Sequence, residues 1–341
     1  MKIGLELGSE YPANRPIRPL LEQLLEQTAL ARDYGFDCVL LGQHYLSSPL
    51  QILQPLPLLG RLAAEAGEMW LGTGILLLPL LHPVDVAEQI VTLDTICDGR
   101  FIFGVGLGYE EEEFRAFGLD RRDRVARFEE SLEIIKRLWT QDSVTYHGKH
   151  FSLTDVTPTA RPIQRPHPPV WIAANNHPAV RRAARIADGW YASPHAVFAT
   201  LEEQMRIYRE ALAEAGVPDP HYIPVLRDTY VAETDEQALR DCRPFLEGRY
   251  QVYGDQGQDR ELPAGDRFDM SFEELARDRF IIGAPDTCVR EIKRYQELGF
   301  NYIILEYQWP GMGSELAMRC LRLLGEEVLP RLRQGSNPSL A

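Results

Sequence analysis

The stretch Gly99-Arg100-Phe101-Ile102-Phe103-Gly104-Val105-Gly106-Leu107-Gly108-Tyr109 decides the fold. Asp98-Gly99 makes a turn ahead of it, and Phe101 to Val105 is a short apolar run with aromatic and β-branched residues, the pattern of a buried strand. The run opens into alternating glycines, where a backbone turns tightly or lets another group come close. Four glutamates, Glu110 to Glu113, follow, and then a helical pattern. A strand that opens into a glycine loop at its C-terminal end is where α/β proteins build their sites. The rival reading is a dinucleotide phosphate loop. Its spacing is missing here, because Tyr109 stands where the third glycine belongs. The four carboxylates would also repel a pyrophosphate.

Before and after this stretch, strand and helix patterns alternate about eight times. The predicted strands are 2–8, 36–42, 70–78, 101–105, 170–174, 189–193, 223–232 and 302–307. Predicted helices cover 20–34, 52–66, 83–97, 124–139, 178–187, 201–215, 235–252 and 285–298, and an amphipathic segment, 315–333, closes the chain. The strands are short and apolar, as strands buried on both faces are. The expected fold is α/β, a parallel (β/α)8 TIM barrel read as a single domain over 1–341, with insertions after the fourth and seventh βα units. The first insertion carries a hairpin pattern around His147-Gly148. The second includes a polar segment, 254–269, that reads as a candidate lid.

The chain has 341 residues, and an apolar fraction of 45% is enough for a large core. A net charge of -14 argues against nucleic acid as a partner. No stretch reaches the roughly 18 consecutive apolar residues of a membrane span. The N-terminus enters a strand pattern directly, without the pattern of a signal peptide. Cys38, Cys97, Cys242, Cys288 and Cys320 lack metal or disulfide spacing and read as buried small hydrophobes of a reducing, cytoplasmic compartment. The histidines show no metal spacing, so no metal is expected. A serine-hydrolase elbow is missing.

In such a barrel the site lies at the C-terminal ends of the strands. That rule alone names Glu6, Gln43, His44, Thr73, Gly106, Glu110 to Glu113, Asn175, Asn176, Ser193, Asp228 and Gln308. An imidazole passes protons near neutral pH, which singles out His44. Asn175 and Asn176 stand where a helix begins, so side-chain amides and a helix N-terminus together suit a phosphate, or serve as a helix cap. The glutamate run suits either an acid or a solvated helix start.

The run from Gly99 to Gly108, followed by Glu113-Phe114-Arg115-Ala116-Phe117-Gly118, resembles the signature of the bacterial luciferase-like flavin monooxygenase family. Gly72-Thr73-Gly74 with Leu78-Pro79 and His82-Pro83 is similar too. So are Arg127-Phe128-Glu129-Glu130, Pro169-Val170-Trp171-Ile172-Ala173-Ala174, Ala187-Asp188-Gly189-Trp190 and Gly283-Ala284-Pro285. The resemblance spans nearly the whole chain in order. It implies a barrel enzyme using reduced FMN with oxygen, or the deazaflavin F420 for hydride transfer. It implies a catalytic His44, and a cofactor held by Thr73, Gly74, Ile75, Gly106, Asn175, Asn176 and Ser193, with a non-prolyl cis peptide at Gly74-Ile75. The chain departs from the pattern in two places. Gln43-His44-Tyr45 replaces the family's Glu-His-His, and Leu107 replaces an arginine that grips the FMN phosphate in luciferase. The reading ranked first is FMNH2-dependent monooxygenation of a small organic substrate, with a separate flavin reductase as FMNH2 supplier. F420-dependent hydride transfer is the alternative, and a non-catalytic flavin-binding barrel the second. The resemblance also implies a homodimer, to which Leu53, Leu56, Leu58 and Leu59 would offer an apolar surface.

Overall fold

In the computed structural model, which describes residues 1–218, 220–263 and 266–334, eight parallel strands close on themselves. They are β1 (Lys2–Glu6), β2 (Cys38–Leu41), β3 (Trp70–Thr73), β4 (Phe101–Gly106), β5 (Val170–Ala174), β6 (Gly189–Ala192), β7 (Pro224–Val231) and β8 (Tyr302–Glu306). Each pairs with the next in chain order, and β8 returns to β1 in register from Lys2↔Tyr302 to Glu6↔Glu306. Helices α1 (Arg18–Tyr34), α2 (Pro55–Ala66), α3 (Pro83–Ile96), α4 (Arg124–Thr140), α5 (His177–Ile186), α6 (Phe198–Ala215), α7 (Asp235–Asp255), α8 (Pro285–Leu298) and α9 (Ser314–Leu323) wrap the outside. Gly35 closes α1 in the left-handed region, with φ of 80°, so its N–H can reach back to the last carbonyls. The expected hairpin is present as Val144–His147 paired with Ser152–Val156.

Strand side chains alternate between the outer helices and the barrel interior. The outer set forms one large core. The inner set contains Cys38, Leu40, Ile102, Trp171, Tyr191, Leu226 and Ile304. Bulky Trp171 fits because its register neighbours on both sides, Gly104 and Gly189, carry no side chain.

The structure departs from the sequence reading at instructive places. The third strand is not continuous: it stops at Thr73 and Leu76–Leu77 resumes beside β4, while the Gly74–Ile75 peptide between them is cis, as the family resemblance implied. The second helix starts at Pro55 rather than Ile52, since proline suits a first helical position. Leu50–Ile52 instead pairs antiparallel with Glu10–Pro12 over the barrel mouth. Leu56, Leu58 and Leu59 are buried in the chain's own core and Leu53 packs against it, so they form no apolar face for a second copy. The described part of 254–269 is packed down: Gln258, Leu262, Asp266 and Phe268 are buried. Among the described residues, no helix is long and apolar enough to cross a membrane. The five cysteines are buried and unpaired.

Gly104 tests the tightness of the β3–β4 contact. A Cβ there would be driven into the carbonyl oxygen of Thr73, which belongs to a strand and cannot swing away. Gly104→Ala is expected to cost about 1–3 kcal/mol in denaturant unfolding. Gly248→Ala, on the exposed side of α7 with nothing within 4 Å, is expected to stabilise by about 0.5–1 kcal/mol. Equal effects at the two positions would refute this account of the barrel wall.

Candidate functional site

The cavity sits at the C-terminal ends of the strands and encloses about 1220 Å³, its open mouth included. Its wall gathers His44, Gly74, Ile75, Gly106, Asn175, Asn176 and Ser193 from the ends of five successive strands, β2 to β6. Thr73 does not join them. It is fully buried, and its hydroxyl donates to the Gly104 carbonyl at 2.6 Å, tying β3 to β4. Gln43 reaches the cavity but works as a loop lock, accepting from the Leu77 N–H and donating to Tyr45 and Gln54. Asp228 and Gln308 are buried in protein hydrogen bonds. Asp228 accepts from Tyr250 and Trp309, and Gln308 from Gln23 and Gln27.

The loop after β4 turns into a short helix, Glu111–Ala116, that carries Glu113 under the loop after β2. The Glu113 side chain is fully buried. Its Oε1 accepts from the Tyr45 backbone N–H at 2.7 Å and lies 3.2 Å from His44 Nδ1. Glu110 Oε1 lies 3.5 Å from the same nitrogen. Two carboxylates therefore hold Nδ1 as the donor nitrogen, and Nε2 has no protein partner among the described residues. Burial by itself would lower the basicity of His44. The hydrogen bond and charge of Glu113, with Glu10 and Glu110, outweigh it and leave the imidazole more basic than usual. Glu110 is itself pushed above the usual carboxylate range, by burial first. Tyr109 packs edge-on against the imidazole at 5.7 Å between centroids. The residue types of the glutamate run gave no sign of this partnership, since 66 to 69 residues separate the run from His44. His44, Glu110 and Glu113 also bring one ligand atom each within 4.8 Å of one another. That is a metal-compatible grouping the search for histidine spacing, which expected none, could not see.

The opposite end of the cavity is polar in a different way. Asn176 caps α5, its side chain accepting from the Ala179 N–H at 3.1 Å. The Asn175 carbonyl is held by Gln204, while its side-chain amide has no protein partner among the described residues. Ser193 accepts from the His195 N–H, and Arg124 donates to the Gly108 carbonyl at 2.6 Å. Side-chain amides, a hydroxyl, a guanidinium and a helix N-terminus suit a phosphate. Between the two ends lie Gly42, Gly74, Gly106, Ala173, Ala174 and Ala192. They form a bed without bulk, where a Cβ on Gly106 would come within 2.6 Å of Ile75. A flat ring with a phosphorylated tail fits this donor set and this bed, as flavins and deazaflavins require.

Several lining residues escaped sequence reasoning. Arg249 and Tyr253 come from α7, eighteen residues and more beyond the end of β7, where the strand-end rule does not look. Arg249 pairs with Glu306 at 2.5 Å and donates to Tyr253. Burial raises Glu306, and the Arg249 guanidinium beside it opposes that rise. His195 is buried among Tyr250, Tyr253 and Phe268, and burial together with Arg249, Arg279 and Arg227 holds it neutral. Glu306 was findable: it ends β8 as Glu6 ends β1.

Comparison with known proteins agrees with this architecture. The family model described as luciferase-like monooxygenase matches residues 4–302. An F420-dependent glucose-6-phosphate dehydrogenase of Microbacterium testaceum is 31% identical over 92% of the chain and 94% of its own length. The oxygenase component of a flavin-dependent trigonelline monooxygenase of Acinetobacter baylyi is 25% identical over 92% of the chain and 90% of its own length. Among solved structures, the monooxygenase RslO1 from Streptomyces bottropensis superposes with a TM-score of 0.80 at 27% identity. That match covers 97% of this chain and 99% of that one.

Glu113→Gln removes the charge nearest His44 while keeping an oxygen for the Tyr45 N–H. The imidazole titration followed by NMR is expected to move to lower pH in this variant, and less far in Glu110→Gln, whose carboxylate is more distant. An unmoved midpoint in Glu113→Gln would show that the buried carboxylate does not set the basicity of His44.

Proposed function

The chain belongs to the luciferase-like monooxygenase family, and we propose that it is an F420-dependent oxidoreductase acting on a small hydroxyl or carbonyl substrate. The observation that carries this reading is the imidazole of His44 held at Nδ1 by two carboxylates, with Nε2 left for the substrate. When bound, the deazaflavin takes or returns a hydride. The chain's own residues handle the proton. His44 Nε2 removes it from a hydroxyl as the hydride leaves carbon, and returns it in the reverse direction. Glu113 and Glu110 stabilise the imidazolium that results, and the buried contact of Glu113 fixes the ring's orientation. Tyr109 covers one side of the imidazole against water. The phosphate-bearing tail is assigned to Asn175, Asn176, Ser193 and Arg124. The likeness to an F420-dependent dehydrogenase supports F420 as the cofactor.

A second reading, FMNH2-dependent oxygenation with a separate reductase, draws support from the trigonelline oxygenase component and from RslO1. The sequence alone ranked it first. The paired carboxylates behind His44 shift the preference, because removing a hydroxyl proton calls for a strengthened base.

Anaerobic titrations with F420 and with FMNH2 separate the two. The expected result is tighter binding of F420 and its reduction by an alcohol from a screened panel. Binding of FMNH2 alone would return oxygenation to first place. His44→Ala is expected to lose about 10²–10⁴-fold in turnover with cofactor affinity retained, and unchanged turnover would remove His44 from the chemistry. In alcohol oxidation the neutral imidazole is the active form. kcat/KM is therefore expected to fall as the pH drops below the raised His44 value, and Glu113→Gln is expected to move that limb to lower pH.

A further inference from the structure

The upper layer of the barrel interior carries a row of three carboxyl groups. The register pairs Glu6 of β1 with Glu306 of β8, and Glu306 with Asp228 of β7. Their surroundings differ. Asp228 accepts from the Tyr250 hydroxyl and the Trp309 indole, both at 2.7 Å, and does not line the cavity. Glu306 lines it, but its charge is taken by Arg249. Glu6 lines the cavity with a single partner, the Tyr191 hydroxyl, which donates to Oε2 at 2.9 Å. Among the described residues its Oε1 has no partner, and no cation pairs with it.

The space around Glu6 is kept open by two glycines on neighbouring loops. A Cβ at Gly42 would lie 3.3 Å from Glu6 Oε1, and one at Gly74 would lie 2.9 Å from Oε2. Gly74 begins the apolar bed described above. The carboxyl thus stands at the edge of the surface on which the ring would lie, on the β1 side. We propose that Glu6 is a cofactor-positioning residue whose carboxyl O–H donates a hydrogen bond to an acceptor on the ring of the bound cofactor. The inference rests on the reading that this cavity holds a flavin-type ring, and it applies to F420 and FMN alike, since both present ring carbonyl and nitrogen acceptors.

One guanidinium beside two adjacent carboxyl groups allows only one of them to ionise cheaply. Arg249 sits on Glu306, so the proton remains on Glu6. Burial and the charge of Glu306 push Glu6 well above the usual carboxylate range, against the weaker opposing pull of Tyr191 and Arg249, and Asp228 adds to the rise. Leu40 of β2 is the other register partner and carries no charge. As pH rises through the elevated Glu6 value the donor is lost and a buried negative charge appears under the ring. Cofactor affinity then falls.

The test is cofactor binding, read as a dissociation constant by fluorescence or absorbance titration without substrate. It is run at about pH 6 and about pH 9 for wild type, Glu6→Gln, Glu6→Ala and Tyr191→Phe. Glutamine keeps an N–H donor at every pH. Glu6→Gln is expected to match wild type at the lower pH and to bind about tenfold more tightly than wild type at the higher one. Glu6→Ala is expected to bind about tenfold more weakly than wild type at the lower pH. The cofactor's own ionisation is common to all forms and cancels in these ratios. If Glu6→Gln does not fold, Tyr191→Phe serves in its place. Losing the hydroxyl that stabilises the ionised carboxyl, it is expected to carry the fall in affinity to higher pH. A ratio of Glu6→Gln to wild type that is the same at both pH values, or full affinity in Glu6→Ala, overturns the inference and leaves the functional reading intact. Failure of wild type to bind either cofactor overturns both.

Discussion

In a closed barrel every second side chain of a strand points into a space with no exit except the two ends. That constraint shapes this protein. Low in the barrel the inward positions are filled by Trp171, Ile102 and Ile304, with Gly104 and Gly189 on either side of Trp171. At the top the same period places Glu6, Asp228 and Glu306 side by side. An apolar plug below and carboxyl groups above give a floor on which a ring can rest and exchange hydrogen bonds.

Charges in such a place are expensive, since each loses its water. The structure offsets this pairwise. Asp228 is solvated by Tyr250 and Trp309, Glu306 by Arg249, and Glu113 by the Tyr45 N–H and His44. The Glu113 contact is also mechanical. It ties the loop after β2 to the loop after β4, so the orientation of the proposed base and the closure of two connections depend on one carboxylate. The hydride transfer proposed above would need this kind of rigidity where the proton moves, because a small displacement there sacrifices much of the rate.

Most of the barrel was legible in the chain itself. β5, read from Val170-Trp171-Ile172-Ala173-Ala174, and α8, read from Pro285 to Leu298, fall where the patterns put them. Buried parallel strands and proline-started helices write their limits locally. The break in the third strand at Gly74 was not legible from its apolar run. Leu50–Ile52 read as helix because its partner, Glu10–Pro12, is far away in sequence. Among the residues that line the cavity, His44, Gly106, Asn175 and Ser193 followed from a rule about strand ends. Thr73 satisfies the same rule but does not line the cavity, its hydroxyl being spent on the neighbouring strand.

The sequence by itself determined the alternation of strand and helix, the barrel and the ring of loops in which a site must lie. These depend on periodicity and on turn residues, which act within a few positions. Only the tertiary structure decided which polar groups meet. Glu113 reaches His44 across 69 residues, Arg249 reaches Glu306 across 57, and Tyr191 reaches Glu6 across 185. Such partnerships depend on register and closure, and they set which carboxyl keeps its proton and which imidazole nitrogen is free. The chemistry of the site is therefore written in contacts that no local stretch of the chain contains.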